Sequence, residues 1–463
     1  MAKQCPEIGL SNVQAAWVEL EDVRDVLQKP TAAGYIRPRG NISMSQTPSR
    51  SNSEELSESL NISAQFQNAV DVGQAQIGTY LRLASDGSRM QGHALLVSAM
   101  GGFQEKDRVT CKLSAALDAK ADNFMVKGVA GGIFPPRCII QIENEKILVG
   151  GVDKANGVVI GTYNCVRGYA GTTAASHSAD AEITVKSPVY YQDVCRETVS
   201  LWVKMDHVVL WGRGGVVTAV EIPMSNTGGQ NINYTINFKQ LGWAGTAIIS
   251  GAPNGKTVTV ETMNGANAAY GYCVGSYIKN TTKDDDNNGA GYRITGVDVD
   301  KGTITIDGTI TSWAAGDKLD AWTPKSESIG EPVEARTALV FIDGHAGGIR
   351  EGSFTMNTPA EQKLLVGDVY PSYTVDTQRD VSISMDTYFT RGAASAIGRG
   401  YVGYETSVAL VFGAKAGNRL NVMLPRVKMN TPEIGVDGAA LTLNRTGAVL
   451  GKDYEDSVYF SME

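Results

Sequence analysis

An internal repeat constrains this chain more than any other feature of its sequence. Between Ile36 and Pro48 it reads Ile-Arg-Pro-Arg-Gly-Asn-Ile-Ser-Met-Ser-Gln-Thr-Pro. Between Ile349 and Pro359 it reads Ile-Arg-Glu-Gly-Ser-Phe-Thr-Met-Asn-Thr-Pro. Both have Ile-Arg, a Gly, an apolar residue, a hydroxyl, a Met and then Thr-Pro. Further marks follow in the same order. Residues 60–64 match 381–385, Ile77-Gly78 matches Ile397-Gly398, and 220–223 leading to 235–237 match 422–425 leading to 442–444. Each match is short, but four in one order point to a duplicated β domain. Such self-similarity decides the fold before any local reading does.

The chain has 463 residues, a length that suggests roughly three domains with ample core. Its 52 glycines and 19% charged residues, with many Val, Ile and Thr, favour strands joined by tight turns. A net charge of −8 argues against a nucleic-acid reader, which needs a basic face. The first ten residues lack the apolar core of a signal peptide, and no apolar run approaches a membrane span, so membrane insertion is not expected. Cys5, Cys111, Cys138, Cys165, Cys195 and Cys273 are scattered without a Cys-x-x-Cys pair. They read as reduced thiols rather than as a disulfide framework or zinc site.

Along the chain, residues 15–27 read equally as a helix face or a strand, and an arm or edge element is expected there. Residues 49–59 form a polar, acidic loop before an alternating strand at 60–67. Residues 93–100 are apolar and buried, and the Ala- and Leu-rich stretch 113–121 is the best short helix. From Asp122 the texture changes to short strands, with a hairpin turn at Asn156-Gly157. A similar texture returns between Trp243 and Pro324, where Gly296-Val297-Asp298 to Gly302 repeats the spacing of Gly151-Val152-Asp153 to Gly157. The two small modules are related or have converged on one hairpin; the sequence leaves both open.

Spacing locates the insertions. Ile77 and Val220 are 143 residues apart, but Ile397 and Val422 only 25, leaving about 118 extra residues in the first copy. The expected order is therefore a first β domain over 1–121, a small β module at 122–187, the rest of the first domain at 188–242, a second module at 243–325 and a second β domain at 326–463. The fold class is mainly β: duplicated β-sandwich domains with one or two short flanking helices and two small inserted β modules. Modules of this kind belong on an outer surface, since loops tolerate insertion and cores do not.

No constellation carries recognisable chemistry. Asp284-Asp285-Asp286-Asn287-Asn288-Gly289 starts like a calcium loop, but its twelfth position is Thr295 where Glu is required. It reads as a polar hairpin tip. Residues 250–257 approach a P-loop but begin with Ser250 and run into a strand. Gly212-Arg213-Gly214-Gly215 lacks dinucleotide spacing. His93, His177, His207 and His345 have no neighbour at metal-ligand spacing, and no Gly-x-Ser-x-Gly elbow occurs. The expectation is a protein without catalytic residues, metal or cofactor, and so not an enzyme.

Gly40 to Glu55, GNISMSQTPSRSNSEE, resembles the opening strand and acidic loop of tailed-phage tail tube proteins. Arg167-Gly168, Gly171-Thr172-Thr173-Ala174-Ala175, His177 and Ala179-Asp180-Ala181 resemble a small β module carried by phage virion proteins. Leu424-Pro425-Arg426-Val427, then an apolar strand and the acidic 453–456 before Val458-Tyr459-Phe460, are similar to the family's C-terminal pattern. The tube resemblance covers about half the chain. It implies β-sandwich domains, six to a ring, stacked into a tube that conducts DNA in the virion tail. Its implied partners are further copies of itself, the tape-measure and tail-terminal proteins, and DNA in passage. The double copy departs from the family and suggests three chains per ring. A decorating or receptor-binding virion protein that binds a surface or glycan is the alternative, and a polysaccharide-cleaving enzyme with paired carboxylates is a third class.

Alternation names a candidate lumen. Asn61, Ser63 and Gln65 alternate with apolar Leu60, Ile62, Ala64 and Phe66, and Ser382, Ser384 and Asp386 with Val381, Ile383 and Met385. The polar sets lack Lys and Arg, whereas ordinary solvated faces carry Lys and Glu. A face without cations lets DNA slide, because each neutralised phosphate strengthens binding. These six residues are the expected lumen lining.

Overall fold

The computed structural model describes residues 14–54, 64–83, 88–127, 135–155, 159–163, 165–262, 264–327, 330–343, 345–390, 392–414, 418–451 and 456–462. It is mainly β, with 36 strands and two α-helices among the described residues. Neither helix is long and apolar enough to cross a membrane.

Eight strands carry the architecture: β1 (Ser43–Ser45), β2 (Gly73–Tyr80), β3 (Val208–Met224), β4 (Asn231–Phe238), β5 (Glu351–Asn357), β6 (Asp380–Tyr388), β7 (Leu420–Met429) and β8 (Ala440–Val449). They lie side by side in the order β1-β2-β4-β3-β5-β6-β8-β7, all antiparallel, within a larger 19-stranded sheet. The first four and the last four follow the same neighbour pattern. Between them β3 pairs with β5, setting Val220 against Met356 and Ile222 against Phe354. The duplicated halves are thus joined edge to edge.

The parallel continues outside the sheet. After Thr47-Pro48 the chain leaves as a two-stranded ribbon, Pro48–Asn52 with Gln65–Val70. After Thr358-Pro359 it leaves as a second, Ala360–Lys363 with Tyr373–Asp376. Proline supplies no ladder hydrogen bond, which suits a point of departure. Each half then re-enters the sheet and supplies a helix, α1 (His93–Met100) or α2 (Ala393–Tyr401).

This topology corrects several expectations. The counterpart of β6 is β2, not residues 60–64, of which 60–63 lie outside the described residues. Ile77 is a strand residue and Ile397 lies in α2, so that pair is not equivalent and does not measure the insertion. Residues 113–121 are not a helix. Leu113 ends the strand Arg108–Leu113, and Leu117 exchanges backbone hydrogen bonds with His177 at 2.9 Å, so tertiary pairing overrides helix propensity. The helix is instead α1, bounded by Gly92 (φ 79°) and Gly101 (φ 99°), with Leu95, Leu96 and Met100 fully buried. Residues 14–20 are a strand paired with Val199–Met205.

Both insertions share one topology. The second is a closed barrel of Ala247–Ile249, Thr257–Glu261, Tyr277–Asn280, Tyr292–Asp298, Thr303–Ile306 and Lys318–Ala321, joined in the order first-second-fifth-fourth-third-sixth. The first repeats each of those pairings, with Glu145–Leu148 and Gly151–Ala155 sharing the fourth position. Its sheet begins at Arg108, so a boundary at 122 would cut through it. Asn156-Gly157 lies outside the described residues. The barrel packs on a cluster containing Trp17, Trp202 and Trp211, and the first insertion on Ala409, Met423 and Tyr459.

Candidate functional site

The period of two sends alternate side chains of β1–β8 to opposite faces. One face is the core: Ile77, Tyr234, Val220, Met356 and Val381 lie in register, as do Ile222, Phe354 and Ile383, and Ile232 joins them in one cluster. The other face is polar along its whole width. One row runs Ser43, Gln76, Thr235, Ala219, Asn357 and Asp380; the next Gly78, Asn233, Glu221, Thr355, Ser382 and Ala448; beyond the end of the β3–β4 ladder a third continues in two pieces, Tyr80 with Asn231, and Pro223, Ser353, Ser384 and Thr446. No Lys or Arg stands in these rows as far as β8, but β7 continues the second with the exposed Lys428 opposite Ala448, and the Arg39 guanidinium lies 5.6 Å over the Tyr80 ring at the other end. As far as β8, amides and hydroxyls dominate, and the charges are Glu221 and Asp380. Because one sheet carries the two halves, their polar faces are continuous.

Ser382, Ser384 and Asp386 are on this face, partly exposed, as alternation requires. Asn61 and Ser63 lie outside the described residues. Gln65 belongs elsewhere: it sits on the ribbon and donates from Nε2 to Asn52 Oδ1 at 3.0 Å, and the ribbon's ladder is separate from the main sheet. The polar residues of β2, β3, β4 and β5 went unread in the sequence, although alternation in 73–80 and 231–238 was the signal for them. The cation-free character also has a rim. Arg350, just before β5, donates to Asp386 Oδ2 at 2.6 Å and Glu351 Oε1 at 2.9 Å, and it pairs with Asp437. Three carboxylates thus surround that guanidinium, and Asp386 is an ion-pair partner rather than a free charge.

The seam between halves has a fastener. Arg196 is 5% exposed. It donates from Nη1 to Val217 O and Thr358 O, both at 2.9 Å, and ion-pairs with Asp376. It therefore touches β3, the end of β5 and the second ribbon at once.

The polar motif of the first insertion is also a built network. Glu145 has no exposed side chain and accepts from Arg167 Nε at 2.7 Å and Nη2 at 2.8 Å, from Gly168 N at 2.9 Å and from Ala175 N at 3.0 Å. His177 contacts it through Nε2 at 2.8 Å and contacts Glu143 through Nδ1 at 3.1 Å. Burial alone would raise the Glu145 carboxyl; Arg167, the Ala175 amide, His177 and the Gly168 amide outweigh it and hold the group at about 2. The arrangement ties the Arg167–His177 loop to the sheet of the insertion.

The remaining histidines are apart from one another. His93 Nδ1 lies 2.9 Å from the Tyr190 hydroxyl, and its ring is edge-on to Phe103. His207 stands 3.5 Å from Asp206, and His345 is exposed. In the calcium-like loop Asp285 accepts from Tyr292 at 2.9 Å and from Trp313 Nε1 at 2.7 Å, pinning the loop to its barrel. Among the described residues no group of three His, Cys, Asp or Glu is placed to hold a metal. No protein-family model matches the chain, and no curated protein matches it significantly.

Proposed function

We propose that this chain is a structural subunit of a phage tail tube, three copies closing a ring whose polar sheet face lines the DNA conduit. The observation that carries the reading is the continuous eight-strand sheet, apolar on one face and, on every strand but β7 with its Lys428, free of Lys and Arg along the rows of the other. The β3–β5 seam is a template for ring closure: β1, the counterpart of β5, has only β2 as a strand partner among the described residues. Pairing it with the second half of a neighbouring chain would repeat the seam and remove an open edge. Three such sheets supply 24 strands, which at about 4.8 Å spacing make a circumference of roughly 115 Å before tilt, wider than a DNA duplex needs. The insertions then ride outside the wall. In the virion such a tube stacks on itself and meets tape-measure and tail-terminal proteins.

Electron microscopy of the purified protein with native mass spectrometry tests this. Rings or tubes built from three chains are expected. Rings of six full-length chains would sink the role given to the internal seam. Isolated particles would favour a decorating or glycan-binding virion protein, for which the exposed Tyr270 (68%) beside Trp243 (39%) is the supporting observation.

A further inference from the structure

The two helices are not packed alike. From Ala94 to Met100 every residue of α1 is buried, whereas only Ala393 of α2 is. Beneath α2 lies a cavity of about 190 Å³, walled by Ile342 and Met429 from the sheet, by Ser395 and Arg399 from the helix, and by Tyr404 and Arg445. Arg445 comes from β8, on the side of the sheet that faces the core: its register partner is the fully buried Met385. A packed core places an apolar side chain there.

The charges in the cavity do not balance. Arg399 is 3.0 Å from Asp343 and stacks over Tyr404 at 5.1 Å. Asp343 is otherwise engaged, accepting from the Thr406 hydroxyl at 2.6 Å and Ser407 N at 3.0 Å. Arg445 has no carboxylate at ion-pair distance among the described residues, and its Nε is buried without a hydrogen-bond partner. Two guanidiniums thus face one carboxylate. A half-buried guanidinium without a counter-charge is costly, and the fork geometry of arginine matches a planar or tetrahedral oxyanion. Burial also draws the Arg445 pKa down, as expected of a cation lacking an anion.

We infer that the cavity beneath α2 is an oxyanion site in which Arg445, with Arg399 and the Ser395 hydroxyl at its rim, receives a phosphate or carboxylate group. The group comes either from a free anion or from an acidic side chain of a second copy.

Thermal unfolding of the full chain is followed in sodium phosphate, with sodium chloride at equal ionic strength as reference, for the native protein, Arg445→Met and Ser395→Glu. Self-association of the native protein, Arg445→Met and Arg445→Lys is measured by sedimentation. Met fills the cavity with volume like its neighbours', and Ser395 is exposed, so Ser395→Glu keeps the test alive if Arg445→Met fails to fold. For a free anion, the native midpoint rises by about 2 °C or more in phosphate. Arg445→Met then shows no rise, and Ser395→Glu, carrying its own carboxylate, loses most of it. For a carboxylate from a second copy, phosphate alone shifts little, Arg445→Met weakens association at least tenfold, and Arg445→Lys restores part of it. Equal phosphate responses in native and Arg445→Met proteins overturn the site. So does a native protein indifferent to phosphate whose association Arg445→Met leaves unchanged.

Discussion

At the scale of residues, the groups that matter most are charged ones taken out of water. Arg196 holds two buried carbonyls and Asp376 across the seam. Arg196→Met leaves those acceptors unsatisfied and should destabilise the protein by about 3 kcal/mol, since breaking one side of a buried charged network is costly. A denaturant midpoint measures the loss, and hydrogen exchange should show it concentrated in β5 and the second ribbon. Glu145 makes a pH prediction. Its folded pKa, held at about 2, lies below the ordinary 4.5. The stabilisation is therefore complete above pH 4.5 and is lost as pH falls through about 2. Denaturant midpoints between pH 5 and 2 should fall for the native protein. In Glu145→Gln that part of the pH dependence disappears, and the first insertion loses about 3–5 kcal/mol at neutral pH. The sequence displayed Arg167 and His177 in one motif, yet Glu145 read as the end of a strand. Its partners lie 22 and 32 residues away, and nothing local announces the pairing.

At the scale of elements, alternation was legible because one face of each strand must be dry. That is why Ser382, Ser384 and Asp386 were assigned to one face correctly, while Gln65, also in an alternating stretch, stands on a ribbon outside the main sheet. Alternation gives a face but not the sheet to which the face belongs. The Thr-Pro pairs were the missing cue: each marks where a ribbon departs. Helix placement was illegible for the opposite reason. Residues 113–121 have the better intrinsic propensity, but a neighbouring strand and loop claim their backbone groups. Two predictions belong here. Asn233→Lys with Ser384→Lys should change stability by less than about 0.5 kcal/mol, both sites being polar and solvated. If the proposed tube forms, the assembled double variant should retain duplex DNA at low salt and release it as salt rises, in a retention assay where the native protein is expected to let DNA pass. Excising residues 105–188 leaves Gln104 and Val189 to be joined, and these already face each other across a ladder. With a two-residue Asn-Gly link the rest should keep its β circular dichroism but bind a hydrophobic dye, because Ala409, Met423 and Tyr459 lose their cover.

At the scale of the whole molecule, the repeat seen in the sequence survives as topology twice over, once in the halves and once in the insertions, although residue-by-residue matches mostly do not. Order along the chain persists where side chains have diverged, because strand neighbours are set by connectivity and registers can slip. The covalent link across the β3–β5 seam has a kinetic consequence. A junction between halves of one chain forms at a local concentration fixed by the tether, whatever the protein concentration outside. In the proposed ring, every second junction is then present before any two molecules meet. Ring abundance should follow the third power of free subunit rather than the sixth, so assembly switches on more gradually and at greater dilution. Tethering also relaxes the demand for sameness. Two domains always inherited together can drift apart, so one could keep a sealed helix while the other opened a hollow beneath its own.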